Sequence, residues 1–260
     1  MSQIARFATS EGPRYGLIVD SVIYALAGPA QADPFGGDHL APGERVGPVD
    51  AVSLLPPVMP SKIMCIGRNY AAHAAEHGAA VPEEPMLFLK PPSALIGHGG
   101  EIILPPGGGR VEHEAELAVI IGRTVSHVRR EDALDYVLGY TCANDVSARD
   151  YQEKDGQWGR AKGFDTFCPL GPWIVTGLDP ADLAIACHVN GEQRQSARTS
   201  DMIHDVAALV AFVSGVMTLL PGDVLLTGTP SGVGPLADGD TVEVTIEGIG
   251  TLRNAVRAAR

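Results

Sequence analysis

The 260-residue sequence predicts a mainly β protein with some α structure, led by a small N-terminal β domain. Short apolar runs rich in Val, Ile and Leu recur along the chain and are separated by turn signals, whereas segments with helical periodicity are few. No period of about 20 to 50 residues repeats, which argues against a solenoid or propeller.

The opening strands are "QIARFAT", "RYGLIVD" and "SVIYALA", the first two separated by Ser10-Glu11-Gly12-Pro13. Residues 28–60 are rich in Gly, Pro and Asp and end in "LLPPVMPSK", so they read as loop and linker. This places a domain boundary near Pro60, with 1–60 as the small β domain and 61–260 as the remainder. Beyond it follow "KIMCIG", "PMLFLK", "ELAVIIG", "LGYTCAND", "GPWIVTG", "LAIACHV", "DVLLTG", "DTVEVTI" and "GTLRNAV". Asn190-Gly191, Asp238-Gly239 and Gly248 to Gly250 mark the turns among the later ones. Helices are expected at Tyr70 to His77, closed by Gly78, at Arg130 to Val137 and at Ser200 to Leu220.

Bulk composition narrows the function. A hydrophobic fraction of 45% is enough for a sizeable core. A formal charge of −12, with only 19 Lys and Arg and no basic run, argues against nucleic acid. The most apolar stretch, Val206 to Leu220, is shorter than the roughly 20 residues of a bilayer crossing and reads as a core helix. The N-terminus lacks a continuous apolar segment ahead of a cleavage site, so a cytoplasmic protein without membrane attachment is expected. Cys65, Cys142, Cys168 and Cys187 have no ligand spacing and sit among apolar residues, as reduced core thiols do.

The stretch "VEHEAELAVIIG" carries the first chemical signal. With a period of two, Glu112, Glu114 and Glu116 share one face of a strand, where like charges repel. Either that face is solvated or something positive sits against it. A helical period pairing Glu112 with Glu116 fits less well, because "AVIIG" is β-branched and "PPGGG" offers no cap. A second strand runs out at Asn144-Asp145, a pair also common in ordinary turns. Two glutamates on one strand and an aspartate at the end of another form an all-oxygen set suited to Mg²⁺ or Mn²⁺, with coordination positions left for water and substrate.

Other candidates have both a functional and an ordinary reading. Arg149 and Gln152 follow Asp145 by four and seven residues and share its face if a helix or turn continues. The guanidinium of Arg149 would suit a substrate carboxylate, or it would simply pair with Asp150 or Glu153 at the surface. Thr229, in "TGTPSGVG", offers a hydroxyl and a backbone donor where glycines permit close approach, or it belongs to a plain turn. His73 and Glu76 stand three apart in "NYAAHAAEHG" and would share a helix face, making His73 a base for a water or merely a surface residue. Lys162, between Arg160 and Asp165, reads by itself as a solvated lysine.

Taken together, Glu114-x-Glu116, "NDVSARDYQ", "RAKGFDTFCPLGPW" and "LLTGTPSGVG" closely resemble the fumarylacetoacetate hydrolase family, and "GRNYAAHAAEHG" is similar to its lid motif. The resemblance covers residues 60 to 260. It implies a mixed β-sandwich roll, a homodimer, and one divalent metal on the residues matching Glu114, Glu116 and Asp145. It further implies a lid dyad of His73 and Glu76, preferred over His77, with Gly67 and Gly78 as hinges, and gives Lys162 a place beside a developing enolate. Hydrolytic cleavage of acylpyruvate-type β-diketo acids is the leading expectation. Isomerisation of hydroxy-diene-dioates from aromatic degradation, or decarboxylation of oxaloacetate-like acids, would use the same site. A non-catalytic module that only sequesters metal would not need Lys162 or the dyad.

Overall fold

A computed structural model describes residues 1–28, 33–35, 40–76, 78, 80–107 and 109–259. The chain is mostly β, with its described strands in three sheets. The largest has eleven strands. Its main path runs Pro42–Pro48, Val22–Leu26, Gly12–Val19, Ser2–Thr9, Cys168–Thr176, Val137–Asn144, Ala115–Ile121, Val224–Leu226, Ile63–Gly67 and Met86–Lys90, while Leu95–Ile96 pairs with Cys168–Thr176 off that path. A five-stranded sheet runs Glu192–Arg198, Ala184–Val189, Thr241–Ile246, Gly250–Ala258, Glu101–Leu104. The third sheet joins Ser147–Ala148, Val111–His113 and Gly234–Pro235.

The strand Ala115–Ile121 explains how the layers meet. Leu117, Val119 and Ile121 point into one core, shared with Val242, Val244 and Leu209, while Ala118 and Ile120 point into another, shared with Ile4, Leu17 and Ile63. A strand covered on both faces reads as an unbroken apolar run, as "LAVII" does. The large sheet also crosses the expected boundary at residue 60, because Ser2–Thr9 pairs antiparallel with Cys168–Thr176, Ile4 opposite Ile174.

The structure differs from the sequence reading in several elements. Within the stretch read as loop and linker, Pro42–Pro48 forms a strand against Val22–Leu26. Its prolines are tolerated because it lies at a sheet edge, where one row of N–H groups has no ladder to join. The long helix expected from Ser200 to Leu220 is confined to α4, Val206–Val216. Asp205 starts it by accepting a hydrogen bond from the Ala208 amide, and the backbone turns extended at Met217 so that Leu219 can pair with Val125. Arg130–Tyr136 is a 3₁₀ helix. α1 spans Ala71–Glu76, and His77, the weaker candidate, lies outside the described residues. Two short helices after Asp145 have too few turns to show a period: α2, Arg149–Asp155, and α3, Gly159–Lys162. All four cysteines are buried and free, and no helix among the described residues is long and apolar enough to cross a membrane.

Asp223 fastens the start of the second half to the sheet. It is fully buried and accepts from the Ser61 amide at 3.1 Å, the Ser61 hydroxyl at 2.6 Å, the Lys62 amide at 3.2 Å and the Leu220 amide at 2.8 Å, and it pairs with the Lys62 ammonium. Asp223→Ala leaves several of these donors unmatched, and each orphaned group costs roughly 1–3 kcal/mol. A destabilisation of about 3 kcal/mol or more is expected in urea unfolding; a change under about 0.5 kcal/mol would show that the contact contributes nothing.

Candidate active site and metal centre

The strand that begins the glutamate motif breaks at Glu114. Val111–His113 pairs with Ser147–Ala148, whereas Ala115–Ile121 pairs with Val137–Asn144. At the break the Glu114 amide donates to Asn144 Oδ1 at 2.9 Å, and the Asp145 amide donates to the Glu114 carbonyl at 2.8 Å. The ends of the two central strands are thereby locked side by side. As a result Glu114, Glu116 and Asp145 each offer a carboxylate oxygen within 4.8 Å of the others.

The glutamate face is not solvated. Glu112, Glu114 and Glu116 are 5%, 4% and 1% exposed, and Asp145 is fully buried. Arg149, at the start of α2, donates through Nε to Glu112 at 2.7 Å, through Nη2 to Glu114 at 2.5 Å and through Nη1 to Gln152 at 2.8 Å. Lys162, at the end of α3, donates to Glu114 at 2.7 Å and to Asp145 at 2.6 Å. Lys90 donates to the other Asp145 oxygen at 2.6 Å.

Charge is unevenly balanced across this wall. Burial alone would raise the pKa of Glu114, but Lys162 and Arg149 hold it well below the usual carboxylate range. Burial pushes Glu116 well above that range, and repulsion from Asp145 and Glu114 adds to it. Glu116 has no ion pair among the described residues and accepts one hydrogen bond, from the Gly228 amide at 2.6 Å. The Lys162 ammonium is favoured, since Asp145 and Glu114 outweigh its desolvation. Three clustered carboxylates, one of them without a counter-charge, fit a divalent cation that prefers oxygen. The triad is positioned to bind one.

These groups line one pocket of about 290 Å³, together with His73, Arg68, Phe88, Trp158, Gln152 and Thr229. His73 Nδ1 lies 3.5 Å from Glu76 Oε2, and the Glu76 carboxylate also accepts from the Gly232 amide at 3.2 Å. The dyad therefore joins α1 to the Gly-rich loop. The Thr229 hydroxyl donates to the Ala115 carbonyl at 2.9 Å and accepts from Gln195 at 2.8 Å, so it is already engaged within the protein. Arg149 and Gln152 are likewise bound to each other, and Arg149 reaches neither Asp150 nor Glu153. Gly67 serves Trp158, whose ring would lie 2.7 Å from a Cβ there, and Gly78 has the left-handed φ of 62° that suits a helix end.

Arg68, which lines the pocket, and two supporting residues, Lys90 and Gln195, were missed from sequence. Lys90 ends an apolar strand ahead of Pro91-Pro92, and a lysine directed inward from such a run is the available signal. Gln195 is the buried residue in the otherwise exposed "EQRQSAR", and accepts from the Ala115 amide at 2.9 Å while donating to Thr229 and to the Pro230 carbonyl at 2.7 Å. Nothing in its local sequence distinguishes it from its neighbours.

Comparison with known proteins places this geometry. Residues 62–257 match the model of the fumarylacetoacetate (FAA) hydrolase C-terminal family, and residues 3–57 match that of the Rv2993c-like N-terminal family. The chain is 57% identical over 215 residues to Protein Rv2993c of Mycobacterium tuberculosis, covering 82% of this chain and 81% of that one. It is 46% identical over 221 residues to the mitochondrial oxaloacetate tautomerase Fahd2a of Rattus norvegicus, covering 80% of this chain and 71% of the relative. The crystal structure of 2-hydroxyhepta-2,4-diene-1,7-dioate isomerase from Mycobacterium marinum superposes with a TM-score of 0.90 at 48% identity, over 99% of each chain.

Glu116→Gln removes a candidate ligand and relieves repulsion in the same step. In thermal melts the wild type should gain stability with millimolar Mg²⁺ or Mn²⁺, by about 2.7 kcal/mol at a hundredfold excess over Kd, and lose it with chelator. The variant should melt no lower than the metal-free wild type and show no such gain. An equal response in both would remove Glu116 from the metal site.

Proposed function

Because the chain belongs to the fumarylacetoacetate hydrolase family, we propose that it is an enzyme that forms and reprotonates the enolate of a small 2-oxo dicarboxylic acid, a tautomerase or isomerase reaction. The observation that carries this reading is the position of His73: a largely buried imidazole lines the same small pocket as the three carboxylates, Lys162 and Arg149. One proton-transfer group and one wall that tolerates developing negative charge are the minimum that enolisation requires. The 2-hydroxyhepta-2,4-diene-1,7-dioate isomerase from Mycobacterium marinum and the oxaloacetate tautomerase from Rattus norvegicus are named for reactions of this kind.

In this reading Glu114, Glu116 and Asp145 would hold a Mg²⁺ or Mn²⁺ ion, which would supply Lewis-acid polarisation to the carboxylate and 2-oxo oxygens of the substrate. His73 takes the proton from the carbon beside the 2-oxo group and returns it, with Glu76 orienting the ring and supporting its charged form. Lys162 supplies positive charge to the oxygen that becomes anionic, an interaction stronger in the transition state than in the ground state. Arg149 holds Glu112 and Glu114 in place and keeps further N–H groups for a substrate carboxylate, beside Gln152 and the backbone of Thr229.

Hydrolysis of an acylpyruvate carbon–carbon bond is the second reading. It uses the same wall, and the His73–Glu76 pair would deprotonate water instead of carbon. Wild-type protein should accelerate the enol–keto conversion of oxaloacetate, followed by loss of enol absorbance, without releasing pyruvate. His73→Ala should slow it by about 10² to 10⁴ while keeping the Mg²⁺ response in thermal melts. Pyruvate release from acylpyruvates without oxaloacetate tautomerisation would replace the lead reading by hydrolysis. Pyruvate and CO₂ from oxaloacetate, undiminished in His73→Ala, would replace it by decarboxylation.

A homodimer belongs to the same proposal. Many strands with few covering helices leave sheet surface for a partner, and Leu89 is 48% exposed on the edge strand Met86–Lys90. Light scattering should give twice the 27.2 kDa of the chain; a mass near 27.2 kDa at every working concentration would reject the dimer.

A further inference from the structure

Among the described residues, one arginine of the pocket lining is not bound to the carboxylate wall. Arg149 and Lys162 are bound to the carboxylate wall, and Arg110, half exposed, lies 3.2 Å from Glu112. Arg68 lines the same pocket, is half-buried, and makes no ion pair or hydrogen bond through its guanidinium among the described residues. Glu153, an exposed acid also on the lining, is not within ion-pair distance of it.

The placement of Arg68 is enforced. Its φ is +58°, a left-handed conformation that costs a non-glycine residue free energy and persists where the surroundings over-determine it. The next residue does so. Asn69 is 1% exposed; its Nδ2 donates to the carbonyls of His204 at 2.9 Å and Thr227 at 2.8 Å, its Oδ1 accepts from the His204 amide at 2.9 Å, and its own carbonyl accepts from the Ile203 amide at 2.8 Å. Four bonds at residue 69 thus fix the backbone that carries residue 68 into the pocket. A guanidinium held at a pocket lining without an internal acceptor is a binding group for an anion brought from outside.

We propose that Arg68 is a specificity-determining residue that binds the distal carboxylate of a dicarboxylic substrate whose 2-oxo acid end faces Glu114, Glu116 and Asp145. The inference deepens the enolate-forming reading and rests on it for the orientation of the substrate. It divides the labour of the pocket: the carboxylate wall and its cation take the chelating end common to all 2-oxo acids, and Arg68 distinguishes diacids from monoacids.

The test uses ligands that do not turn over. Malate and its 4-amide share the 2-hydroxy carboxylate end and differ in distal charge, and oxalate supplies a chelating end alone. Calorimetric titration of the Mg²⁺-loaded full chain should show wild type preferring malate over the amide by about tenfold or more, the factor one charge-assisted hydrogen bond commands. Arg68→Gln, which keeps a polar amide on a shorter stem and removes the charge, should reduce that preference to within about threefold and leave oxalate affinity unchanged. Arg68→Lys should restore part of it. A wild type that binds oxalate but does not prefer malate overturns the proposal, as does an Arg68→Gln variant that keeps the wild-type preference or loses oxalate binding in parallel. Binding of none of the three ligands overturns it as well. Failure of the enolate-forming reading is seen separately, as absence of oxaloacetate tautomerisation by a wild type that still discriminates the two malate ligands.

Discussion

Four carboxylates buried on one wall, Glu112, Glu114, Glu116 and Asp145, are the constraint to which the rest of this structure answers. Burying an uncompensated charge is costly, and removing one partner from a buried pair commonly costs about 3–5 kcal/mol. The buried compensating cations come from three separate segments: Lys90 from the end of an edge strand, Arg149 from the start of α2 and Lys162 from the end of α3. Each of these segments has to lie where its charge is needed. The two short helices, which carry little stabilisation of their own, are held over the pocket largely for this reason.

The balance is deliberately incomplete at Glu116. Among the described residues, Lys90, Arg110, Arg149 and Lys162 pair with Glu112, Glu114 and Asp145, and the carboxylate left without an ion pair is the one farthest along the central strand, beside the Gly-rich loop. That loop approaches closely because residue 228 is glycine: a Cβ there would lie 2.7 Å from the Cβ of Asn69, and its φ is +98°. The same glycine whose amide supports Glu116 thus lets Asn69 fix the backbone of Arg68. The carboxylate wall and Arg68 share a backbone scaffold.

Gln195 connects the two halves by other means. It comes from an otherwise exposed strand of the five-stranded sheet and bonds at once to Ala115, Thr229 and Pro230. The strand bearing the glutamates and the loop bearing Thr229 are therefore tied by one side chain. His113, between Glu112 and Glu114, also contacts it at 3.1 Å. Such supporting bonds set the orientation of groups that touch the ligand, and their loss is felt through those groups.

By itself the sequence determined the strand-rich class and the oxygen-only donor set, because alternation and residue chemistry are local properties. The family motifs made Glu114, Glu116, Asp145, His73, Glu76 and Lys162 legible as members of one site although they span about 90 residues of chain. Tertiary structure decided what those residues are bound to. The pairing of Arg149 with Glu112 and Glu114, the internal engagement of the Thr229 hydroxyl, and the recruitment of Lys90 and Gln195 depend on contacts 34 to 114 residues apart in sequence. Periodicity also overran the end of α4 and missed the edge strand Pro42–Pro48, where a cap, a strand partner and a sheet edge outweighed composition. A local pattern states which surfaces a residue needs buried; which charge meets it there is settled only when distant segments pack.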